Sequence, residues 1–569
     1  MTSPAERSPS RRRRWLALLA LAIGALLVLA WWLDRGRTVA LPEAPHARIE
    51  CLSYAPFRRP GETPFDPGLR VSPQRIEQDL RILRTRTGCV RTYAVHQGLE
   101  AVPAVARRLG MRVKLGAWIG RDAVANEAEL RRALALARQF RDVVDLLIVG
   151  NEVLLRRELS AGALAGLLSR ARRESAVPVT YADVWEFWLR NDALRAHVDA
   201  ITVHVLPYWE DEPVPVERAV EHVFSIAAKV AARFPGQPVL VGETGWPAAG
   251  RQRAGAVPGR LNQARFAREF VTRAQREPLR YNFIEGFDQP WKRRLEGAMG
   301  GHWGVFDRDG DARFAWSGPL AEDDSWWAGV LAAALATAAA LAAAAMRRLR
   351  WQAALALVLG WSLTTSSFVA HFAYMVDWHR TPLEWTIGAV VAVFALWCAL
   401  QATGLLASRL DAPAGTPMPL VGGAWVVTGV PCLFQVLCTP SLSGRGLGLS
   451  RAVVLFAAAA IGLALAFEPR YRGFPWALLA APAFALLALR VAGERPAAAA
   501  NEERLLALVI ALCAPAIAWI EGPRNLQAIG FALLLLLLAA SIWPGRRQGR
   551  GRTRTIAPSS TAGAAGPAA

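Results

Sequence analysis

Short apolar runs alternate with segments of helical periodicity through the first half of the chain. Eight runs are predicted to be strands, at residues 49–54, 89–95, 113–118, 146–152, 179–182, 201–205, 239–243 and 281–287. The segments between them read as helices: Ser72 can cap one with Pro73 at its first position, and Asn126 with Glu129 suggests a capping box for another. Strands and helices in this alternation predict an α/β fold over residues 45–320, a closed (β/α)8 TIM barrel. An open doubly wound sheet is the alternative, but no glycine-rich phosphate loop follows the first strand.

Nearly everything after residue 326 is apolar. Eight candidate spans follow, at residues 326–346, 351–374, 385–407, 420–438, 452–467, 474–491, 505–520 and 526–543. They predict an all-α polytopic transmembrane bundle over 326–543, and the N-terminal run makes nine spans. Nine spans starting inside would leave the basic tail of 544–569, predicted to be disordered, on the outside, against the positive-inside tendency. We therefore expect that 420–438, which contains two glycines and Pro431, does not cross, or that another span has been missed.

The N-terminus is predicted to be a basic cytoplasmic segment, 1–14, followed by a transmembrane signal anchor, 15–33. A cleaved signal peptide is the alternative, but no small-residue cleavage site follows the apolar run directly. In both cases the arginines of 11–14 stay inside, and the barrel is exported. We expect a multi-pass protein of the inner membrane with its catalytic domain in the periplasm.

The 569 residues have a formal net charge of +20, mostly from arginine spread along the chain. Basic runs beside apolar spans more often contact the cytoplasmic leaflet than nucleic acid, and no zinc-finger spacing or recognition motif is present. We therefore predict a lipid bilayer as partner and no nucleic acid. Cys51 and Cys89 begin the first two strands, where a disulfide is conceivable, but we favour two small buried core residues.

Two predicted strands end in glycine followed by a glutamate. Residues 147–153 read L-I-V-G-N-E-V, and residues 239–247 read V-L-V-G-E-T-G-W-P. Both glutamates would lie at the carboxyl ends of barrel strands, where active sites of this fold are built. Glu152 and Glu243 therefore suit the acid/base and the nucleophile of a retaining glycosidase, which needs two carboxyl groups roughly 5 to 5.5 Å apart.

Several motifs resemble glycoside hydrolase family 17, the β-1,3-glucanases of the large retaining barrel clan. They are G-N-E (150–152), E-T-G-W-P (243–247), S-Y-A-P-F (53–57), V-R-T-Y (90–93), H-V-L-P-Y-W-E (204–210), E-G-F-D-Q-P-W-K (285–292) and G-H-W-G-V-F-D (301–307). The likeness covers essentially the whole exported domain and is closer to the membrane-bound bacterial branch than to plant members, which have a tyrosine where this chain has Leu206. The resemblance implies that Glu152 is the acid/base, that Glu243 is the nucleophile and that Asn151 binds the sugar 2-hydroxyl.

Supporting roles are predicted for residues around these two. Arg91 and Tyr208 are placed to hydrogen-bond the nucleophile and keep it ionised, although a structural ion pair is an alternative for Arg91. Glu285, Asp288 and Lys292 end the eighth strand, and the resemblance suggests that they orient the acid and the sugar, with a salt-bridge cluster as the rival interpretation.

Aromatic rings near the strand ends are candidate platforms for sugar C–H faces. The candidates are Tyr54, Tyr93, Trp118, Trp185, Trp209, Trp246, Trp291 and Trp303, of which some must be core; Trp246 and Trp291 are favoured because they adjoin the catalytic strand ends. The histidines show no ligand spacing, and neither H-E-x-x-H nor G-x-S-x-G occurs. No metal and no cofactor is predicted.

The predicted function is a retaining hydrolase or transglycosylase that acts on a β-1,3-glucan polysaccharide or oligosaccharide. Bacterial relatives of this type are associated with building branched or modified β-glucans, which favours transglycosylation. The loops between spans are too short for a sugar-nucleotide transferase domain, so a separate membrane glucan synthase is a candidate partner. The alternative, suggested by the size of the membrane half, is a glucan export or assembly component whose barrel mainly binds the polymer.

Overall fold

The structure is a computed structural model that describes residues 9–46, 48–413, 440–493 and 501–543. Its eight strands are β1 (Leu52–Ser53), β2 (Cys89–Arg91), β3 (Arg112–Ala117), β4 (Val144–Asn151), β5 (Val179–Val184), β6 (Ala200–His204), β7 (Val239–Thr244) and β8 (Arg280–Phe283). Each strand pairs in parallel with the next, and β1 also pairs with β8. The predicted closed barrel of eight parallel strands is confirmed.

Helices surround this barrel and cover the outer faces of its strands. They are α2 (Pro73–Leu83), α3 (Val102–Arg108), α4 (Ala123–Gln139), α5 (Ala161–Glu174), α6 (Trp185–Arg190), α7 (Val216–Arg233), α8 (Arg260–Arg276) and α9 (Arg293–Glu296), after the N-terminal α1 (Arg11–Gly36). Ser72 caps α2 as predicted, because its Oγ accepts from the Arg75 N–H at 3.3 Å.

The predicted capping box of the fourth helix is wrong. Asp122 caps α4 instead, since its Oδ1 accepts from Val124 N at 2.8 Å. Asn126 and Glu129 are buried and bind the loops that follow β2 and β3: Glu129 Oε1 accepts from the backbone N–H of Val95 at 2.7 Å. A side chain in the second turn of a barrel helix thus braces the rim on which the candidate site is built.

The second half of the chain is a bundle of apolar helices. They are α10 (Trp327–Met346), α11 (Trp351–Trp378), α12 (Pro382–Asp411), α13 (Pro440–Phe467), α14 (Trp476–Val491), α15 (Asn501–Glu521) and α16 (Leu526–Ile542), and α1 packs among them. Six of these eight helices are long and apolar enough to cross a membrane, while α14 and α16 are shorter apolar helices. The predicted segment 420–438 and the tail of 544–569 lie outside the described residues.

Contacts at the helix ends give the bundle two distinct faces. At the face away from the barrel, Arg14 near the start of α1 donates to Leu410 O near the end of α12 at 2.8 Å. At the barrel face, Arg251 of the barrel donates to Pro469 O just after α13. The end of α12 and the start of α13 therefore both lie away from the barrel, as does the end of α16, where Arg490 donates to Trp543 O. The conflict raised by nine predicted spans does not arise among the eight described helices.

Barrel and bundle meet through a polar interface. Arg251, in the loop after β7, forms a buried ion pair with Glu521 at the end of α15. The next residue, Gln252, donates its backbone N–H to Gln527 Oε1 at 2.9 Å, and its carbonyl accepts from Asn525 Nδ2 at 2.9 Å. Since these barrel residues follow a strand's carboxyl end, the bundle contacts the same rim of the barrel on which the two glutamates lie.

The structure corrects the favoured interpretation of the two barrel cysteines, Cys51 and Cys89. Cys51 and Cys89 form a disulfide with a Cα–Cα distance of 4.5 Å. It links the entry of β1 to the start of β2 and closes a loop with a sequence separation of 38. Two small apolar residues and a disulfide are indistinguishable in one sequence, because only the spatial approach of the two strands decides between them.

Removing this disulfide should destabilise the barrel. For a loop of this length, the loss of chain entropy in the unfolded state corresponds to about 4 kcal/mol. The Cys51→Ala/Cys89→Ala variant should therefore show an earlier thermal unfolding midpoint, measured on the full-length protein in detergent. Cys398 and Cys513 are free and buried, so Cys513→Ala is the matched control and should unfold near the wild-type midpoint. Equal midpoints for both variants would contradict the role of the disulfide.

Candidate active site

The two glutamates reach the barrel rim through glycines that have different local functions. Gly150 has a positive φ of 86°, and Glu152 follows with a φ of 54°, so β4 ends in a left-handed turn that aims Glu152 across the rim. Gly242 instead allows a close approach: a Cβ there would lie 2.5 Å from Thr202 Cγ2 and 3.0 Å from His204 Cδ2. The shared glycine–glutamate pattern therefore reflects backbone strain in one strand and packing in the other.

The structure brings Glu152 and Glu243 together, with His204 between them. The three side chains each offer a ligand atom within 4.8 Å of the other two. His204 Nδ1 lies 3.0 Å from Glu152 Oε1 and 3.6 Å from Glu243 Oε2. The two carboxylates are thus closer than the roughly 6.5 to 9.5 Å needed to hold a water between acid and base.

Glu243 accepts hydrogen bonds from two predicted site residues. Arg91 Nη1 donates to Glu243 Oε1 at 2.7 Å, and the Tyr93 hydroxyl donates to the same oxygen at 2.9 Å. Arg91 is fully buried and also donates through Nη2 to Asn151 Oδ1, so one guanidinium links the residue before Glu152 to Glu243. Asn151 lies beside the pair, as its predicted role requires.

The charges around Glu243 keep it ionised. Burial alone would raise the pKa of Glu243, but His204, Arg91 and Lys292, together with the Tyr93 hydroxyl, lower the pKa below its usual value. Glu152 differs from Glu243 in exposure, since about a quarter of its side chain remains accessible. A buried, anionic carboxylate facing a more accessible one is the asymmetry that a nucleophile and an acid/base require.

Removing the Tyr93 hydroxyl should shift the pH dependence of activity. If Glu243 is the predicted nucleophile, it must be anionic, so activity falls as the pH drops through its pKa. Tyr93→Phe removes a donor that favours the anion, so the pKa of Glu243 rises and the acidic limb of the kcat/KM profile moves to higher pH. The limb is measured on the full-length protein with an aryl β-glucoside or laminari-oligosaccharide substrate. An acidic limb at the wild-type position would contradict this role of Tyr93.

The three predicted residues after β8 separate into two groups. Lys292 Nζ lies 2.9 Å from both oxygens of Glu285. Its positive charge also lowers the pKa of Glu243. Burial raises the pKa of Glu285 to about 7, although the Lys292 ammonium opposes this change. Asp288 instead pairs with Arg313 and accepts from Gly304 N at 2.9 Å. Glu285 and Lys292 therefore lie toward the site, while Asp288 fits the salt-bridge interpretation.

Two predicted site residues are placed elsewhere by the structure. The Tyr208 hydroxyl donates to Arg251 O at 2.8 Å rather than to Glu243, so it holds the loop that contacts the bundle. Trp246 is fully buried, donates from Nε1 to Val257 O at 3.0 Å and packs on Phe266, which leaves no face for a sugar. Trp291 is only partly buried beside the exposed Phe65 and stays a candidate platform.

His204 is the site residue that the sequence analysis missed. It ends β6 and pairs in register with Glu243. The available signal was a histidine at the carboxyl end of an apolar strand, at the same rim as both glutamates. Its spacing to the two carboxylates would also suit a metal ion, but the guanidinium of Arg91 and the ammonium of Lys292 oppose a cation at Glu243. The arrangement suits proton transfer and nucleophilic attack.

Comparison with known proteins agrees with this geometry. Residues 51–304 match the family model of the BtgE/BtgC glycoside hydrolase domain. This part of the chain is similar to glycoside hydrolase domains of this type. The matched range begins at Cys51 and includes every strand of the barrel as well as Glu152 and Glu243.

Curated relatives match the same part of the chain. A probable β-glucosidase btgE of Aspergillus fumigatus is 27% identical over 225 residues, which cover 38% of this chain and 39% of that protein. A glucan 1,3-β-glucosidase of Candida albicans is 24% identical over 268 residues, covering 42% of this chain and 85% of that protein. The chain thus spans well under half the length of the first of these relatives.

Similar solved structures also cover the barrel. A family 17 β-1,3-glucanosyltransferase from Rhizomucor miehei has a TM-score of 0.41 and 24% identity, over 46% of this chain and 95% of that one. An endo-laminarinase from Formosa has a TM-score of 0.41 and 22% identity, over 46% and 84%.

Proposed function

We propose that the barrel cleaves β-1,3-linked glucan with retention, through a covalent glycosyl-enzyme intermediate on Glu243. The observation that supports this most is the close pair of carboxylates, within 4.8 Å, of which one is buried and held anionic by Arg91 and Tyr93. Retaining enzymes keep their two carboxyl groups about 5 to 5.5 Å apart, because one of them must reach the anomeric carbon itself.

The proposed reaction has two displacements. In the first, Glu152 donates a proton to the glycosidic oxygen while a Glu243 oxygen forms a bond to the anomeric carbon and the leaving sugar departs. In the second, Glu152 takes a proton from water or a sugar hydroxyl, whose oxygen bonds to the same carbon and releases Glu243. His204 lies 3.0 Å from Glu152 and can hold its carboxyl group in position through both steps.

A β-1,3-linked glucan is the proposed substrate, because the matched family is a glycoside hydrolase domain and curated relatives are named as glucan 1,3-β-glucosidases. Either water or a sugar hydroxyl can accept the glycosyl unit. We propose that the acceptor is a sugar, so that the reaction is a transfer in β-glucan synthesis or remodelling. The test is product analysis for the full-length protein at high laminari-oligosaccharide concentration. Products longer than the substrate are expected; shorter products alone would contradict transfer, and no products would contradict the function.

We propose further that the protein is anchored in an inner membrane with the barrel on the periplasmic side. Six helices of membrane-spanning length support the anchoring, and the disulfide between Cys51 and Cys89 fits an oxidising compartment. The arginines of 11–14 begin α1 at the face away from the barrel, as the positive-inside tendency expects for the cytoplasmic side. A reporter that is active only in the cytoplasm, fused after Trp543, should be active; silence of this fusion would contradict the orientation.

The export role and a separate glucan synthase partner stay predictions. If the barrel mainly binds glucan during export, the Glu243→Gln variant should support glucan production in cells as well as the wild type. If the barrel acts as an enzyme, the same variant should change the length or linkage of the glucan. Linkage analysis of cellular glucan separates the two functions.

A further inference from the structure

A short helical segment after β8 lies between the candidate active site and the bundle. Residues 290–301 form a 3-10 turn (Pro290–Lys292), the helix α9 (Arg293–Glu296) and a second 3-10 turn (Ala298–Gly301). Lys292 and Arg293 both have helical backbone angles, so they are consecutive residues of one continuous turn. Consecutive side chains on a helix point roughly 100° apart, so these two cations face different neighbours.

Lys292 faces the active site. Its Nζ lies 2.9 Å from both oxygens of Glu285, and only 13% of its side chain is exposed. Burial opposes the ammonium form, but Glu285, Glu296 and Glu243 outweigh burial and raise the pKa of Lys292. The ammonium in turn is one of the charges that outweigh burial and lower the pKa of Glu243. Because it acts on Glu243 through space, its effect depends on where the 290–301 segment lies.

Arg293 faces the bundle and binds the corner between α11 and α12. Its Nη2 donates to Val376 O and to His379 O, both at 3.1 Å. Since α11 ends at Trp378, these carbonyls belong to the end of the helix, where backbone acceptors lack partners within the helix and attract a cation. In the other direction, Arg380 Nη1 donates to Arg293 O at 3.2 Å. Three hydrogen bonds thus join one residue of the barrel to the bundle.

The bundle corner that binds Arg293 is itself fixed by a capping box at the start of α12. Thr381 Oγ1 accepts from Glu384 N at 3.2 Å, and Glu384 Oε2 accepts from Thr381 N at 3.2 Å. Arg380 donates from Nη2 to Glu384 Oε1 at 2.6 Å. The side chain that holds the Arg293 carbonyl is therefore anchored in the first turn of a bundle helix.

Close packing holds the rest of the 290–301 segment. A Cβ on Gly297 would lie 2.7 Å from Tyr471 O, so the segment touches the backbone of the loop between α13 and α14. A Cβ on Gly301 would lie 2.5 Å from Arg293 Cγ, so the stem of this arginine packs on the end of the same segment. The bundle thus contacts the outer side of the segment at two of its loops, while the inner side carries Lys292.

We infer that the bundle positions Lys292 at the active site, and that Arg293 is the positioning residue through which it does so. The inference rests on the proposed function, because it concerns a charge beside the proposed nucleophile. It deepens that function, because it makes the charge around Glu243 depend on the membrane helices. Docking of the barrel alone does not require this contact, since Arg251 and Glu521 already join barrel and bundle elsewhere.

The variants remove the contact from each side. Arg293→Ala removes the two hydrogen bonds to the bundle carbonyls, and Arg380→Ala removes the third. Arg294→Ala is the matched control, because Arg294 is the next residue of α9, is exposed and makes no hydrogen bond or ion pair among the described residues. Arg472→Ala is the control in the bundle, where Arg472 pairs with Glu468. Arg293→Lys keeps a cation whose ammonium can still donate to carbonyls.

The acidic limb of the kcat/KM profile on laminari-oligosaccharides reports the charge around Glu243. The charged and titratable groups that face Glu243 are Arg91 and Tyr93 from β2, Glu152 after β4, His204 from β6 and Lys292. All of them are retained in every variant. A displaced Lys292 ammonium should raise the pKa of Glu243, so the acidic limb should move to higher pH.

We expect the limb to move by about 0.5 pH unit in Arg293→Ala and in Arg380→Ala, part of the effect of one neighbouring charge. This corresponds to about threefold lower kcat/KM at a pH well down the limb. Arg294→Ala and Arg472→Ala should keep the wild-type limb, and Arg293→Lys should restore it. The full-length protein in detergent is used throughout, and the position of the limb does not depend on the fraction of active protein.

The outcomes separate this inference from the proposed function. If the wild type cleaves β-1,3-glucan and the limb stays in place in both Arg293→Ala and Arg380→Ala, the inference is overturned and the proposed function stands. An equal movement in Arg294→Ala would also overturn it, because the loss of any nearby positive charge would then suffice. If the wild type neither binds nor cleaves β-1,3-glucan, the proposed function itself fails.

Discussion

Replacing Glu243 with glutamine is expected to reduce turnover of laminari-oligosaccharides by roughly 10⁴-fold or more. Glutamine has nearly the same shape and can still face Arg91 and Tyr93, but its amide oxygen cannot act as the anionic nucleophile. The measurement is the initial rate of reducing-end release by the full-length protein in detergent.

Two controls make this result specific to the nucleophile. Glu277→Gln introduces the same chemical change at an exposed ion pair with Arg273, and should keep wild-type activity. Laminaritetraose binding shows whether the Glu243→Gln protein is folded, because binding does not require the anion. Unchanged turnover in Glu243→Gln would mean that this carboxylate is not the nucleophile.

Replacing Glu152 with alanine is expected to give a loss that depends on the leaving group. Rates on natural glucan should fall by about 10² to 10⁴-fold, the usual contribution of a general acid. A dinitrophenyl β-glucoside needs no protonation of its leaving group, so its first step should be nearly unaffected and the glycosyl-enzyme should accumulate. The measurement is a burst of dinitrophenolate followed by a slow steady state.

Azide provides the complementary test of Glu152. It attacks the intermediate without a general base, so it should restore turnover of the dinitrophenyl substrate in Glu152→Ala and produce a β-glycosyl azide. The Glu243→Gln protein has no intermediate to intercept and should not respond. Absence of azide rescue in Glu152→Ala would contradict its role as acid/base.

The sequence predicted the parts of the site that depend on one strand. Glu152 and Glu243 follow glycines at the ends of apolar strands, and the alternation of strands and helices brings strand ends of a barrel to one rim. Contacts between residues of different strands cannot be predicted from the pattern of one strand. Trp246 adjoins Glu243 in sequence but packs into the core, and the Tyr208 hydroxyl turns to Arg251 because the loop after β7 folds back over it.

His204 shows the opposite failure of sequence reasoning. The motif H-V-L-P-Y-W-E (204–210) contains both His204 and Tyr208, and the sequence analysis predicts the tyrosine, not the histidine, as a partner of the nucleophile. Only the register of β6 against β7, which pairs His204 with Glu243, shows that the imidazole lies between the two acids. Burial and strand register depend on the whole barrel, so the residue pattern of a single strand does not predict them.

The bundle was predicted helix by helix from hydropathy, but its relation to the barrel was not. Every candidate span within the described residues is a helix, from α10 to α16. The contacts of Arg251 and Gln252 with the loop of 521–527 join segments more than 250 residues apart, so no local sequence pattern predicts them. These contacts hold the 521–527 loop against the loop that follows β7.

The stereochemistry of the first product tests the double displacement most directly. Proton NMR can follow the anomeric signals while the full-length protein acts on a laminari-oligosaccharide whose reducing end has been chemically reduced. Attack by Glu243 followed by a second displacement predicts that each newly formed anomeric centre is β at first, both in a transfer linkage and at a reducing end released by water. The α-anomer of a free reducing end should grow in later by mutarotation. Initial release of the α-anomer would contradict a covalent intermediate on Glu243 and, with it, the function proposed for this barrel.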